Sequence, residues 1–284
     1  WTMNQGDCVE VMSEMPPDSV DLSVYSPPFQ SLYTYTNSEH DIGNCSTNGE
    51  FMEHFRFVMR ELLRVTKPGR LTCCHIAQTT TTLSTHGVIG LKDLRGAVIS
   101  AFVDEGWVYH GDVCIDKDPQ AQAIRTHSKA LLFVQLKKDA SWLRPALADF
   151  ILGFRKPGEN AVPIHPDLSN EDWIEWARPI WYGINGSDTL STHRARSDDD
   201  ARHICPLQLG TIERCVRLWS NPGETVLSPF AGIGSEGYES VRLGRRFVGA
   251  ELKAEYFEEA CRNLRRVETE VLSQGNLYAE SETA

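Results

Sequence analysis

The chain has 284 residues, 41% of them hydrophobic and 24% charged, enough to build one large or two modest domains around a real core. A net charge of −11 excludes a protein that coats nucleic acid indiscriminately, because counterion release needs positive side chains at the contact. No apolar run is long enough to span a bilayer, no basic-then-apolar leader opens the chain, and the eight scattered cysteines show no metal-ligand spacing. These features point to a cytoplasmic protein with reduced thiols, no membrane partner and no metal. Trp1 stands where a Met would open an untrimmed chain.

In chain order, residues 21–25 read as a short strand that stops at Ser26, because Pro27-Pro28 forbids both helix and ladder pairing. Phe51, Phe55, Val58, Leu62 and Val65 fall at helical spacing, and Lys67-Pro68-Gly69 ends that helix. A buried strand follows over 71–76, then a helix near 91–105 (Leu91, Leu94, Val98, Phe102) and a strand over 107–115. This alternation predicts an α/β fold with a doubly wound, mostly parallel sheet.

Residues 119–148 are mixed and basic, and a strand resumes over 150–154. Residues 158–200 hold no long periodic segment, which makes them functional or partly disordered rather than a simple connection. From Pro206 a helical pattern returns (Leu209, Ile212, Val216, Trp219). A strand over 225–227, a helix, a strand over 247–250 and a helix around 254–271 complete the ordered chain, ahead of a flexible tail at 272–284.

Two motifs carry the chemistry. Gly232-Ile233-Gly234-Ser235-Glu236-Gly237 fits G-x-G-x-x-G between a strand and a helix, with Glu251 nineteen residues after Gly232 at the end of the next strand. The glycines permit a tight turn and close backbone approach to a nucleoside, while the carboxylate can accept from two ribose hydroxyls. The same glycines would also suit close strand–helix packing, and the spacing alone admits a dinucleotide. Position speaks against a dinucleotide domain. Only 33 residues follow Glu251, so the remaining strands must come from the N-terminal half, as in a circular permutation.

The second motif is Ser26-Pro27-Pro28-Phe29. The Ser26 hydroxyl and the Pro27 carbonyl are converging acceptors at a strand end, Pro28 keeps that carbonyl aimed, and Phe29 offers a face for stacking a base. Two acceptors suit the NH₂ group of cytosine or adenine.

Ser26–Phe29 resembles the catalytic motif of the DNA amino-methyltransferases, and Phe230, Gly232 and Gly234 resemble their Phe-x-Gly-x-Gly cofactor motif. Catalytic motif first, recognition region next and cofactor motif last resembles the beta group of that family. Gly6-Asp7-Cys8 resembles an element beside the cofactor adenine, and the run from His203 to Leu207 resembles a degenerate form of the motif flanking the methionine part. The resemblance spans 3–156 and 201–266. It implies the permuted methyltransferase fold with an inserted DNA-recognition region: a catalytic half at 1–156 with a basic insertion at 119–148, a target-recognition region at 157–200, and a cofactor half at 201–271. It further implies catalytic roles for Ser26, Pro27, Pro28 and Phe29. S-adenosyl-L-methionine contacts would come from Asp7, Cys8, Ser26, His203, Pro206, Leu207, Ser228, Pro229, Phe230, Ala231, Gly232, Gly234, Glu251 and Leu252.

The partner implied is double-stranded DNA, with the target base flipped out at a cost of a few kcal/mol. Candidate DNA contacts are Arg125, Lys129, Lys137, Lys138 and Arg144 in the basic insertion, and Arg194, Arg196 and Trp181 beyond it. For any single Arg or Lys a solvated surface charge is the competing reading, and for the tryptophans a small satellite core. Ser at the first motif position leans toward cytosine N4, with adenine N6 the alternative. A catalytically silent DNA-binding module and a homodimer stay open.

Overall fold

The Pro27-Pro28 step and the glycine turn follow two adjacent inner strands of one sheet. The computed structural model describes residues 1–28, 48–81, 87–88, 90–125, 147–165, 167–193 and 206–282. Its strands are β1 (Thr2–Gln5), β2 (Val20–Tyr25), β3 (Thr66–Ala77), β4 (Thr79–Thr81), β5 (Gly90–Lys92), β6 (Val108–Ile115), β7 (Asp149–Arg155), β8 (Ile180–Trp181), β9 (Thr225–Ser228) and β10 (Arg246–Glu251). Among the described residues, eight of them form one sheet in the order β1-β10-β9-β2-β3-β7-β6-β8, and β4 pairs with β5 alone.

β7 runs antiparallel to both of its neighbours, and every other pair in the large sheet is parallel. The chain's first strand lies outside its last, with Thr2 opposite Val248 and Gln5 opposite Glu251. The half of the sheet that carries the glycine turn is thus completed by the N-terminus, as the expected circular permutation requires.

Side chains alternate between two cores, one on each face, as a strand's period of two requires. Cys73 and Ile151 point into one, Cys74 and Leu152 into the other. Phe55, Val58, Met59 and Leu62 of the helix Asn48–Val65 and Phe102 of the helix Leu94–Asp104 fill the core that holds Cys74, where Phe102 stacks on Phe154 at 3.9 Å between ring centroids. Ile212, Cys215 and Val216 of the helix Leu209–Trp219 fill the core that holds Cys73.

At the amino ends of the strands, Arg70 is 1% exposed and donates to the Glu224 carboxylate and to the Asp21 carbonyl at 3.1 Å. Asp21 also accepts from Lys67 Nζ at 2.6 Å and from the Thr225 amide at 2.9 Å. A lone buried charge costs several kcal/mol. This network pairs each one and ties β2, β3 and β9 together at the edge opposite the site.

Three sequence expectations are corrected. The helix expected from 91 starts at Leu94, because Asp93 caps it by accepting from the Gly96 amide at 2.8 Å, and Leu91 pairs with Thr80 in the small sheet. Trp181 is no wedge for DNA. It is fully buried in the core with Cys73, stacked on Trp219 at 6.1 Å, and donates Nε1–H to the Trp176 carbonyl at 2.8 Å. The last helix, Ala254–Glu282, continues through much of the expected tail.

Candidate active site

Because β1, β10, β9, β2, β3, β6 and β8 are mutually parallel, the segments after them leave by one edge of the sheet. That edge receives Gly6-Asp7 after β1, Glu251 at the end of β10, the turn after β9 and Ser26 after β2. The helix after β9, Ser235–Arg242, packs on one face of the sheet and the helix after β2, Asn48–Val65, on the other, so the crevice between β9 and β2 is a topological switch point, where open α/β sheets bind ligands. Leu22 lies opposite Val226 and Ser23 opposite Leu227. The Tyr25 ring, beside Ser26, packs against Phe230 with centroids 5.9 Å apart. The two motifs therefore meet.

The glycines of the turn divide their work. Gly232 has φ +53 and its missing Cβ would meet nothing within 4 Å, so its backbone borders open space. Gly237 instead serves packing, since a Cβ there would lie 2.6 Å from the Phe247 ring and 2.8 Å from Leu264. Glu251 Oε2 accepts from the Gly232 amide at 2.8 Å and Oε1 from the Lys253 amide at 2.9 Å. Each carboxylate oxygen has two acceptor directions, so one amide does not saturate it. The hydroxyls of Ser228 and Ser235, on either side of the turn, are buried and have no hydrogen-bond partner among the described residues. A turn open to space, a carboxylate at its rim and two unsatisfied hydroxyls fit a nucleoside-bearing cofactor.

Around this turn, Asp7 caps the helix Cys8–Ser13, accepting from the Val9 amide at 2.7 Å. Burial, then the Asp7 charge, pushes the Cys8 thiol far above the usual thiol range, so it stays protonated and unreactive. Leu207 is buried in the same core as Ala231, while Pro206 and Leu252 are half-buried. Burial, with Glu251 adding to it, pushes the Glu236 carboxyl up to about 8. Phe29, Lys129, Lys137, Lys138, Arg144, Arg194, Arg196 and His203 lie outside the described residues, and Arg125 ends the helix Pro119–Arg125.

Ser26 has a neighbour that sequence reading missed. His75 on β3, 7% exposed, places Nδ1 3.2 Å from the Ser26 hydroxyl and Nε2 3.4 Å from Asp149 Oδ2. The second distance is that of an ion pair more than of a well-aligned hydrogen bond. Lys117, two residues past β6, makes an ion pair with the same carboxylate oxygen. Burial pushes the Asp149 carboxyl up, but His75 and Lys117 outweigh it and hold it below the usual range. The four groups cross four adjacent strands at one edge.

A family model for the N6/N4 methyltransferases, described as DNA methylase, matches residues 20–262. The type II methyltransferase M.BglI of Bacillus subtilis is 30% identical over 175 residues, which is 60% of this chain and 43% of that protein. The chain therefore aligns with under half of that relative. M1.MboII of Moraxella bovis, also a type II methyltransferase, is 25% identical over 283 residues, covering 91% of this chain and 94% of its own. Among solved structures, TTHA0409 from Thermus thermophilus superposes with a TM-score of 0.69 at 25% identity, over 94% of this chain and 95% of that one. That protein has also been solved with S-adenosyl-L-methionine bound.

Proposed function

The chain belongs to the N6/N4 DNA methylase family, and from that membership we propose that it transfers a methyl group from S-adenosyl-L-methionine to the exocyclic amino group of a flipped-out base in double-stranded DNA, cytosine N4 ahead of adenine N6. The observation that carries this reading is the meeting of the two motifs at the switch point, with Tyr25 against Phe230 and Ser26 beside them. When bound, the cofactor supplies the activated methyl group as a sulfonium.

The chain's residues supply position and polarity. Gly232 lets the backbone approach the nucleoside, and Glu251 accepts from the ribose hydroxyls. Ser26 Oγ and the Pro27 carbonyl accept from the base NH₂ and favour a nitrogen gaining positive character. Holding donor and acceptor in contact supplies several kcal/mol of the barrier. No covalent enzyme intermediate is needed, which agrees with the protonated Cys8.

β6 ends and β7 begins at the same edge as Ser26, on either side of the basic insertion. Arg125, Lys129, Lys137, Lys138 and, after β8, Arg194 and Arg196 are the residues assigned to phosphate contacts. The neutral Ser26 hydroxyl, a weaker acceptor than a carboxylate, favours cytosine.

Incubating unmodified duplex DNA with labelled cofactor and resolving the methylated nucleosides tests the reading. Label in N4-methylcytosine is expected, and Ser26→Ala is expected to slow transfer by about tenfold or more while largely keeping cofactor binding. Label in N6-methyladenine corrects the base. No transfer to duplex DNA, or a Ser26→Ala variant as fast as the parent, overturns the assignment.

A further inference from the structure

We propose that His75 and Asp149 form a proton relay behind Ser26, taking the proton that the target amino group must lose. The proposal rests on the methylation reading above and adds to it a destination for that proton.

The reaction creates a problem that the two acceptors alone leave open. As the amino nitrogen bonds to the methyl carbon, the carbon–sulfur bond breaks and its electron pair stays on sulfur. The nitrogen then carries a positive charge and one proton too many. A serine hydroxyl is a weak base, so Ser26 can accept that proton only if its own proton moves on. His75 Nδ1 lies 3.2 Å from Ser26 Oγ. Asp149 beside Nε2 favours the tautomer with hydrogen on Nε2, which leaves Nδ1 as an acceptor. The nitrogen passes its proton to Ser26 Oγ while the Ser26 proton passes to Nδ1. The resulting imidazolium stands against the Asp149 carboxylate, and its proton leaves to water after the product departs.

Asp149 is suited to this because it stays ionised despite burial. Burial works against the charge, and His75 and Lys117 prevail. Of the titratable and charged groups described around the ring, Asp149 comes from β7 and Lys117 from beyond β6. Cys114 and Asp116 lie further along that edge, where burial first and Asp149 second push the Cys114 thiol up. A histidine kept only for packing would not need Nδ1 aimed at a half-buried serine hydroxyl beside the cofactor turn.

Three variants, His75→Gln, Asp149→Asn and Ser26→Ala, test the relay in the full chain. Single-turnover methylation of unmodified duplex DNA is measured across pH, with S-adenosyl-L-methionine binding by calorimetry as the check on folding. In the parent, the rate is expected to fall tenfold per pH unit on the acid side as one group takes up a proton. His75→Gln is expected to lose that limb and about tenfold or more in rate, with cofactor affinity kept. Ser26→Ala combined with His75→Gln is expected to be no slower than Ser26→Ala alone, since the two act as a unit. A readout independent of turnover is the ¹⁵N spectrum of histidine-labelled protein. The ring signals lost in His75→Gln are expected to report hydrogen on Nε2 in the parent and to change in Asp149→Asn. Hydrogen on Nδ1, or a His75→Gln variant with the parent's rate and pH profile, overturns the relay alone. A parent that methylates no duplex DNA overturns the methylation reading, and the relay with it.

Discussion

Tyr25 and Phe230 stand 205 positions apart in the sequence and 5.9 Å apart between ring centroids in the fold. This contact sits where β2 and β9 end side by side, and Phe230 also faces Phe55 at 6.4 Å. It holds the strand end that carries Ser26 against the turn after β9. Phe230→Ala is therefore expected to cost about 3 kcal/mol of stability and to weaken cofactor binding as well. Urea denaturation and calorimetry read the two losses, and an unchanged affinity would uncouple the rings from the turn.

The contrast between Gly232 and Gly237 predicts opposite phenotypes for the same substitution. Gly237→Ala drives a methyl group into Phe247 and Leu264, and overpacking of this kind costs about 1–3 kcal/mol. Gly232→Ala meets open space and only the strain of its positive φ. Its methyl group would instead occupy the room assigned to the nucleoside. Thermal unfolding should single out Gly237→Ala, and cofactor titration should single out Gly232→Ala.

Glu251 works inside the fold before any ligand arrives. Its carboxylate holds the amides of Gly232 and Lys253, so Glu251→Ala strands two donors and is expected to cost about 1–2 kcal/mol of stability. If Glu251 accepts from the ribose as proposed, its loss is expected to weaken S-adenosyl-L-methionine by about tenfold or more. A variant with parental affinity by calorimetry would remove Glu251 from the site.

Much of this was legible because apolar period and turn chemistry are local signals. The strand before Ser26 and the helix through Phe51 and Val65 follow from spacing, and the turn at Gly232 from its glycines. The permutation followed from counting what remained after Glu251. Pairing is not local, so nothing in residues 149–155 announced a strand running antiparallel between β3 and β6. The same reason hid His75, Asp149 and Lys117. They sit 32 or more positions apart in an apolar run, at a strand start and in a loop, and only the sheet order brings them together. Leu91 matched the helical spacing, but the Asp93 cap set the boundary.

Trp181 was misread because tryptophan in an aperiodic segment suits both a core and a base. Its full burial and its bond to the Trp176 carbonyl decide for the core. Trp181→Ala is expected to cost about 3–5 kcal/mol, with DNA affinity per folded molecule unchanged. A stable variant with weakened DNA binding would restore the contact role.

Glu236 makes stability depend on pH in a direction unusual for a carboxyl. Unfolded, the group titrates near its ordinary 4.5; folded, burial raises it to about 8, with the Glu251 charge adding to the effect. Between those values the native state keeps a proton that the unfolded chain has released. Stability contributed by this group is thus whole below pH 4.5 and declines by about 1.4 kcal/mol per unit as pH rises toward 8. Glu236→Gln has nothing to ionise there, so it should gain on the parent by about 3–5 kcal/mol between roughly pH 5 and 8. Urea denaturation at both pH values measures the difference. Equal slopes in parent and variant would mean that Glu236 already titrates as an ordinary carboxylate.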